Sequence, residues 1–179
     1  MVSVEGKAKL IFETIWGGRE AFMQNPEGEF SWSGYSGEMD DKVMILVSGD
    51  ASFPPASKRL DKTLSSIYSA LKFAGPKKPI QELGFNGLTP KSCRDCGGEK
   101  KVEYYSNSDI KYINECKLCF GIGETLDRTA GYSIYGYNFS SVYLHKIMKL
   151  EPTSFIYLKD GYLIFYFNGG EAILKAGRL

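Results

Sequence analysis

The stretch SFIYLKDGYLIFYFNGGEAILK, residues 154–175, holds three short runs rich in β-branched and aromatic residues: Ser154 to Leu158, Tyr162 to Phe167 and Glu171 to Lys175. Lys159-Asp160-Gly161 and Asn168-Gly169-Gly170 separate them and supply tight turns, because Gly and Asn reach positive φ at little steric cost. Just upstream, Tyr132 to Asn138 alternates as a strand, and Ser140 or Ser141 is placed to cap a short helix running to about Leu150. The C-terminal half therefore reads β-α-β-β-β.

Working outward, residues 7 to 48 carry four further apolar bursts: Lys7 to Ile15, Glu20 to Met23, Glu29 to Tyr35 and Lys42 to Val47. Gly17-Gly18, Asn25-Pro26-Glu27-Gly28 and Ser36-Gly37 fall between them, so the pattern predicts an antiparallel meander. After Pro54-Pro55, Ser57 is a candidate N-cap for a helix with Leu60, Leu64, Ile67 and Leu71 on one stripe and Gly75-Pro76 as its stop. That stripe is expected to face a sheet. Residues 76 to 92, with Pro76, Pro79, Pro90, Gly84 and Gly87, read as an irregular connection. Twelve Tyr, eleven Phe and twenty Gly favour strands and turns, and 43% hydrophobic with 24% charged residues is an ordinary globular composition. The expectation is an α+β protein: an antiparallel β-rich sheet with two helices, spanning 1–92 and 124–179.

Between those two parts lie all four cysteines, as Cys93-Arg-Asp-Cys96 and Cys116-Lys-Leu-Cys119. This is the ligand spacing of a closed Cys₄ zinc site, and each half repeats C-x-x-C-x-G, to Gly98 and to Gly121, the second extended to Gly123. Glycine past the second sulfur lets the backbone fold into a tight knuckle whose amides face the thiolates. A pair of disulfides or a redox dithiol fits less well, without a leader segment or a strand-to-helix setting. Lys101 to Ser106 and Ile110 to Asn114 flank Asn107-Ser108-Asp109 as a hairpin, so 93–123 is expected to be an inserted ribbon stapled by one structural Zn²⁺. With four thiolate ligands no position is open for substrate. The formal net charge of +1 becomes about −1 once four thiolates and a divalent cation are counted. Any nucleic-acid contact must then come from a local patch.

Tyr137-Asn138-Phe139-Ser140-Ser141-Val142-Tyr143-Leu144-His145-Lys146-Ile147-Met148-Lys149-Leu150, followed by strands, a glycine turn and Ala172-Ile173-Leu174, resembles the last half-domain of bacterial sliding clamps. The likeness covers residues 132–179. Joined to the paired cysteines, it is most similar to clamp-like single-domain proteins encoded by bacteriophages; the cysteine motif alone is also similar to the zinc region of J-domain co-chaperones. The clamp resemblance implies a non-enzymatic accessory protein of DNA metabolism, holding DNA or a replication or transcription partner in the host cytoplasm. It further implies helix faces that meet phosphates, for which Lys58, Arg59, Lys62 and Lys72 on the first helix and Lys146 and Lys149 on the second are the candidates. The plainer reading of those residues is the solvated face of two amphipathic helices.

An alternative from another class is a protein-interaction module, such as a phage-encoded modulator of a host enzyme, that touches no DNA. Catalysis has little to stand on: no P-loop, H-E-x-x-H or G-x-S-x-G pattern is present. The single His145 has no nucleophile at motif spacing, and Glu38, Asp40 and Asp41 read as a solvated acidic turn. No apolar run is long enough to cross a bilayer. Glu171 to Lys175 is either an edge strand serving a homo-oligomer or a buried central strand.

Overall fold

In the run Val43-Met44-Ile45-Leu46-Val47 every side chain is buried, and a strand of that kind needs cover on both of its faces. A computed structural model provides it, describing residues 8, 10–12, 28–40, 42–49, 53–89, 91–105, 111–117, 123–125 and 131–177. The main sheet contains β1 (Gly28–Trp32), β2 (Tyr35–Met39), β3 (Val43–Ser48), β4 (Lys78–Pro79), β11 (Ser154–Leu158), β12 (Tyr162–Phe167) and β13 (Gly170–Lys175). Its order is β1-β2-β3-β13-β12-β11-β4, antiparallel at every pairing. The expected α+β class with a large antiparallel sheet is therefore what the chain forms.

Register sorts the core into two layers. Met44, Ile173, Ile164 and Ile156 are directly opposed across four strands and form one dry row. Helix α1 (Lys58–Leu71) covers this row with Leu64 and Ile67. Ser57 caps it as expected, its Oγ accepting from Leu60 N at 3.3 Å. Two polar bonds fix the helix to the sheet: Trp32 Nε1 donates to Asp61 at 2.8 Å, and Tyr68 OH donates to Glu171 at 2.5 Å. Burial, then the Glu171 carboxylate, hold the Tyr68 phenol above its ordinary range, so it stays a donor.

On the opposite face Ile45, Ala172, Phe165 and Phe155 form the matching row. Helix α2 (Ser141–Met148) closes it with Tyr143, Leu144 and Ile147. Residues 8 and 10–12 are helical too, with Ala8 and Phe12 packed in the same layer. The strand expected over Lys7 to Ile15 is thereby corrected: Ala8, Ile11 and Phe12 sit at i, i+3, i+4, a helical spacing in a run short enough to pass for alternation. The strand expected over Glu20 to Met23 lies outside the described residues.

Two hairpins differ from expectation for one reason. Ser33-Gly34 and Tyr135-Gly136 are two-residue loops with positive φ at both positions, 47° and 80° in the first, 51° and 80° in the second. That geometry matches the right-handed twist of the flanking strands. Glu29 to Tyr35 is therefore split into β1 and β2, and Tyr132 to Asn138 into β9 (Gly131–Ile134) and β10 (Tyr137–Ser140). Gly37, expected in a turn, lies inside β2, where a Cβ would sit 2.3 Å from the Phe30 ring. The 76–92 connection contributes the two-residue edge strand β4 and a 3₁₀ turn, Ile80–Leu83.

The acidic run is not a solvated turn. Asp40 is 2% exposed; its Oδ1 accepts from Lys42 N and Val43 N at 2.7 and 2.8 Å, and its Oδ2 accepts from Tyr143 OH. It thus ties the β2–β3 turn to α2. Glu38 is 8% exposed, directly opposite Glu29, and stands next to Ile45 in an otherwise apolar row. Burial, then the Glu29 charge, raise its carboxyl to about 7. Asp41 lies outside the described residues.

The reading of Glu171 to Lys175 as an edge is overturned: β13 is the middle strand, and Ile173 is 1% exposed. Ile173→Lys places an ammonium between Met44 and Ile164, and should leave no folded soluble protein by circular dichroism. Ile173→Val should fold with a loss of about 0.5–1.5 kcal/mol.

A second expectation concerns Glu38. Its folded pKa lies above the unfolded value, so the native state binds the extra proton and stability falls as pH rises from about 4.5 to about 7. Glu38→Gln should remove that slope and be more stable than wild type at pH 8 by roughly 1–3 kcal/mol, read from urea unfolding across pH.

Candidate metal centre

Cys93 and Cys116 are each held by a backbone bond that brings the other half of the motif close. Cys93 N donates to Gly123 O at 2.8 Å, beside the short ladder of β5 (Lys91–Ser92) with β8 (Glu124–Thr125). Cys116 N donates to Lys100 O at 2.9 Å, where β7 (Lys111–Glu115) has paired along β6 (Lys101–Tyr105). In the first knuckle Glu99 N returns to Cys96 O at 2.9 Å, through Gly97 and Gly98 at φ 58° and 99°. The two halves meet at glycine: a Cβ on Gly123, whose φ is 87°, would lie 2.6 Å from Gly98 O. The repeated glycines thus serve close approach as well as turning.

The result is a buried thiol trio. Cys93, Cys96 and Cys116 are 0%, 9% and 1% exposed, and their sulfurs lie within 4.8 Å of one another. Sγ of Cys93 and Sγ of Cys116 are 3.7 Å apart, and all three cysteines are free thiols. A disulfide needs about 2.05 Å, so none links this trio. Three sulfurs converging in this way can hold a metal ion. The fourth expected ligand, Cys119, lies outside the described residues. Among the described residues, Val102 is the apolar side chain packed against the cluster.

The hairpin above the trio has two unlike faces. Directly paired residues share a face, which puts Lys101 with Glu115, Glu103 with Ile113 and Tyr105 with Lys111 on one side. There Lys111 Nζ meets Glu103 at 2.5 Å. The other side holds Val102 with Asn114 and Tyr104 with Tyr112, and carries no charge. Tyr104 and Tyr112 are 41% and 50% exposed. Sequence reading passed over this pair; its signal is two aromatics in cross-strand register on the face that also holds Val102.

The cations expected to meet phosphates do not form one surface. Lys58, Arg59, Lys62 and Lys72 are exposed on α1, whereas Lys149 is exposed at the end of α2, across the sheet. The expectation of a solvent-facing Lys146 is corrected: it is 3% exposed, too buried to offer its charge to a phosphate. His145 is half-buried, with Nδ1 accepting from Leu88 N at 3.3 Å. No helix among the described residues is long and apolar enough to cross a membrane.

Fold and site together define an α+β protein with a buried thiolate cluster able to hold a metal. No family model, curated protein or solved structure matches this chain.

Because Gly98 O blocks any side chain at Gly123, Gly123→Ala should push the knuckles apart and weaken metal retention at least tenfold in a chelator competition. The main sheet should keep its thermal transition, since neither glycine touches it.

Proposed function

We propose that this chain is a non-enzymatic zinc protein whose hairpin offers an interaction surface to a protein partner. Zinc is the ion that the donor set favours: a tetrahedron with Zn–S of about 2.3 Å has an S···S edge of about 3.8 Å, against 3.7 Å between Cys93 and Cys116. Cys119 is the natural fourth ligand, by its spacing from Cys116. The metal's work is structural. Among the described residues Val102 is the apolar side chain packed on the cysteines, and an ion held there supplies on the order of 10 kcal/mol in small zinc modules.

The observation that carries the protein-partner reading is the uncharged Tyr104–Tyr112 face, opposite a face whose Lys111 and Glu103 neutralise each other. Paired tyrosines give large contact area at low entropic cost, and no described residue of β6 or β7 on that side is charged.

The second reading, an accessory protein that holds DNA as the clamp resemblance implies, is favoured by one feature. Lys58, Arg59 and Lys62 are all exposed at the start of α1.

Metal analysis should find one zinc per chain, and Cys96→Ser should lose it while amide exchange accelerates in 101–115 before the main sheet opens. Duplex DNA decides between the readings. The first expects no salt-dependent binding; the second expects binding that weakens uniformly across sequences when Lys58, Arg59 and Lys62 are all changed to Glu, with the salt slope reduced by about three contacts' worth.

A further inference from the structure

Beneath the first turns of α1 a groove of about 690 Å³ opens over the sheet, within the roughly 300–1,000 Å³ of small-molecule sites. Its floor is apolar. Met39 pairs with Met44 and Met44 with Ile173, extending the dry row of the core outward, while Phe30 and Leu60 close the sides.

Its rim is cationic. Lys42 leads into β3, Lys175 ends β13 and Arg59 hangs from α1; all three are exposed and line the groove. None has an ion-pair partner within 4.0 Å among the described residues. Asp40 and Glu29 line it too; the Asp40 oxygens are taken by Lys42 N, Val43 N and Tyr143 OH, and register sets Glu29 beside Glu38 on the face of α2.

We propose that this groove binds a small amphipathic organic anion, a carboxylate or phosphate carried on an aromatic or branched aliphatic body. The reasoning is complementarity at both ends of such a molecule. The floor removes apolar surface from water at roughly 25 cal/mol per Å². Three cations on separate elements line the rim that the anionic group would meet, and hydrogen bonds to an ionised partner are about twice as strong as neutral ones. A neutral apolar ligand would leave the rim unused, and an inorganic anion would leave the apolar lining unused. The site is separate from the thiolate cluster and from the hairpin, so it stands apart from the function proposed above.

The test uses the full chain with methionine methyls labelled with ¹³C, titrated with 1-anilinonaphthalene-8-sulfonate. The expected result is saturable binding of one dye per chain that shifts the Met39 and Met44 methyls and leaves Met148, on α2 across the sheet, unmoved. Arg59→Glu with Lys175→Glu should weaken the dye at least tenfold with unchanged circular dichroism. Lys72→Glu, at the far end of α1, should bind as wild type. Displacement by 1-naphthyl phosphate or by 1-naphthoate then assigns the anionic group. Non-saturable binding, shifts at Met148 in place of Met39 and Met44, or indifference to the double charge reversal would each overturn the proposal.

Discussion

The sheet depends on keeping both faces of β13 dry at once. Ala172 and Leu174 point into the layer under α2, Ile173 into the layer under α1, and all three are at most 1% exposed. Backbone groups in such a strand have no water to turn to, so each must find a neighbouring strand. β3 on one side and β12 on the other satisfy them. Two helical layers follow from that demand, and with them the separation of the basic residues of α1 from those of α2.

The ribbon is built on another principle. Among the described residues its core is three sulfurs and Val102, and an ion held by those sulfurs would add order that burial need not supply. Its outer surface is then free of packing duties, and Tyr104 and Tyr112 can stand in solvent without weakening a core.

Much of this was legible in the residues, and the exceptions have physical causes. The three closing strands and α1 announce themselves through glycine turns, the Ser57 cap and the Leu64–Ile67 stripe, signals that are local and strong. The cysteine trio was equally plain, since spacing alone nearly specifies a thiolate site. Misreadings arose where one dipeptide serves two purposes. Ser33-Gly34 makes a turn while Ser36-Gly37, three residues on, clears space for the Phe30 ring; only tertiary packing separates them. The burial of Asp40, Glu38 and Lys146 was hidden for a related reason. Charged residues read as solvent-facing until tertiary packing closes around them, as the Tyr143 hydroxyl does on Asp40.

The place of β13 between β3 and β12 also bears on how the molecule is made. Val47 pairs with Gly170 and Val43 with Leu174, across most of the chain. During synthesis at about 5–20 residues per second, β3 waits roughly 6–25 s for that partner. Through that interval the strand Val43 to Val47, apolar on both faces, has β2 on one side and an open ladder on the other. An unpaired apolar edge is a template for pairing with other chains. At that stage the chain is open to strand pairing with another copy, a hazard that closes only when β13 takes its place.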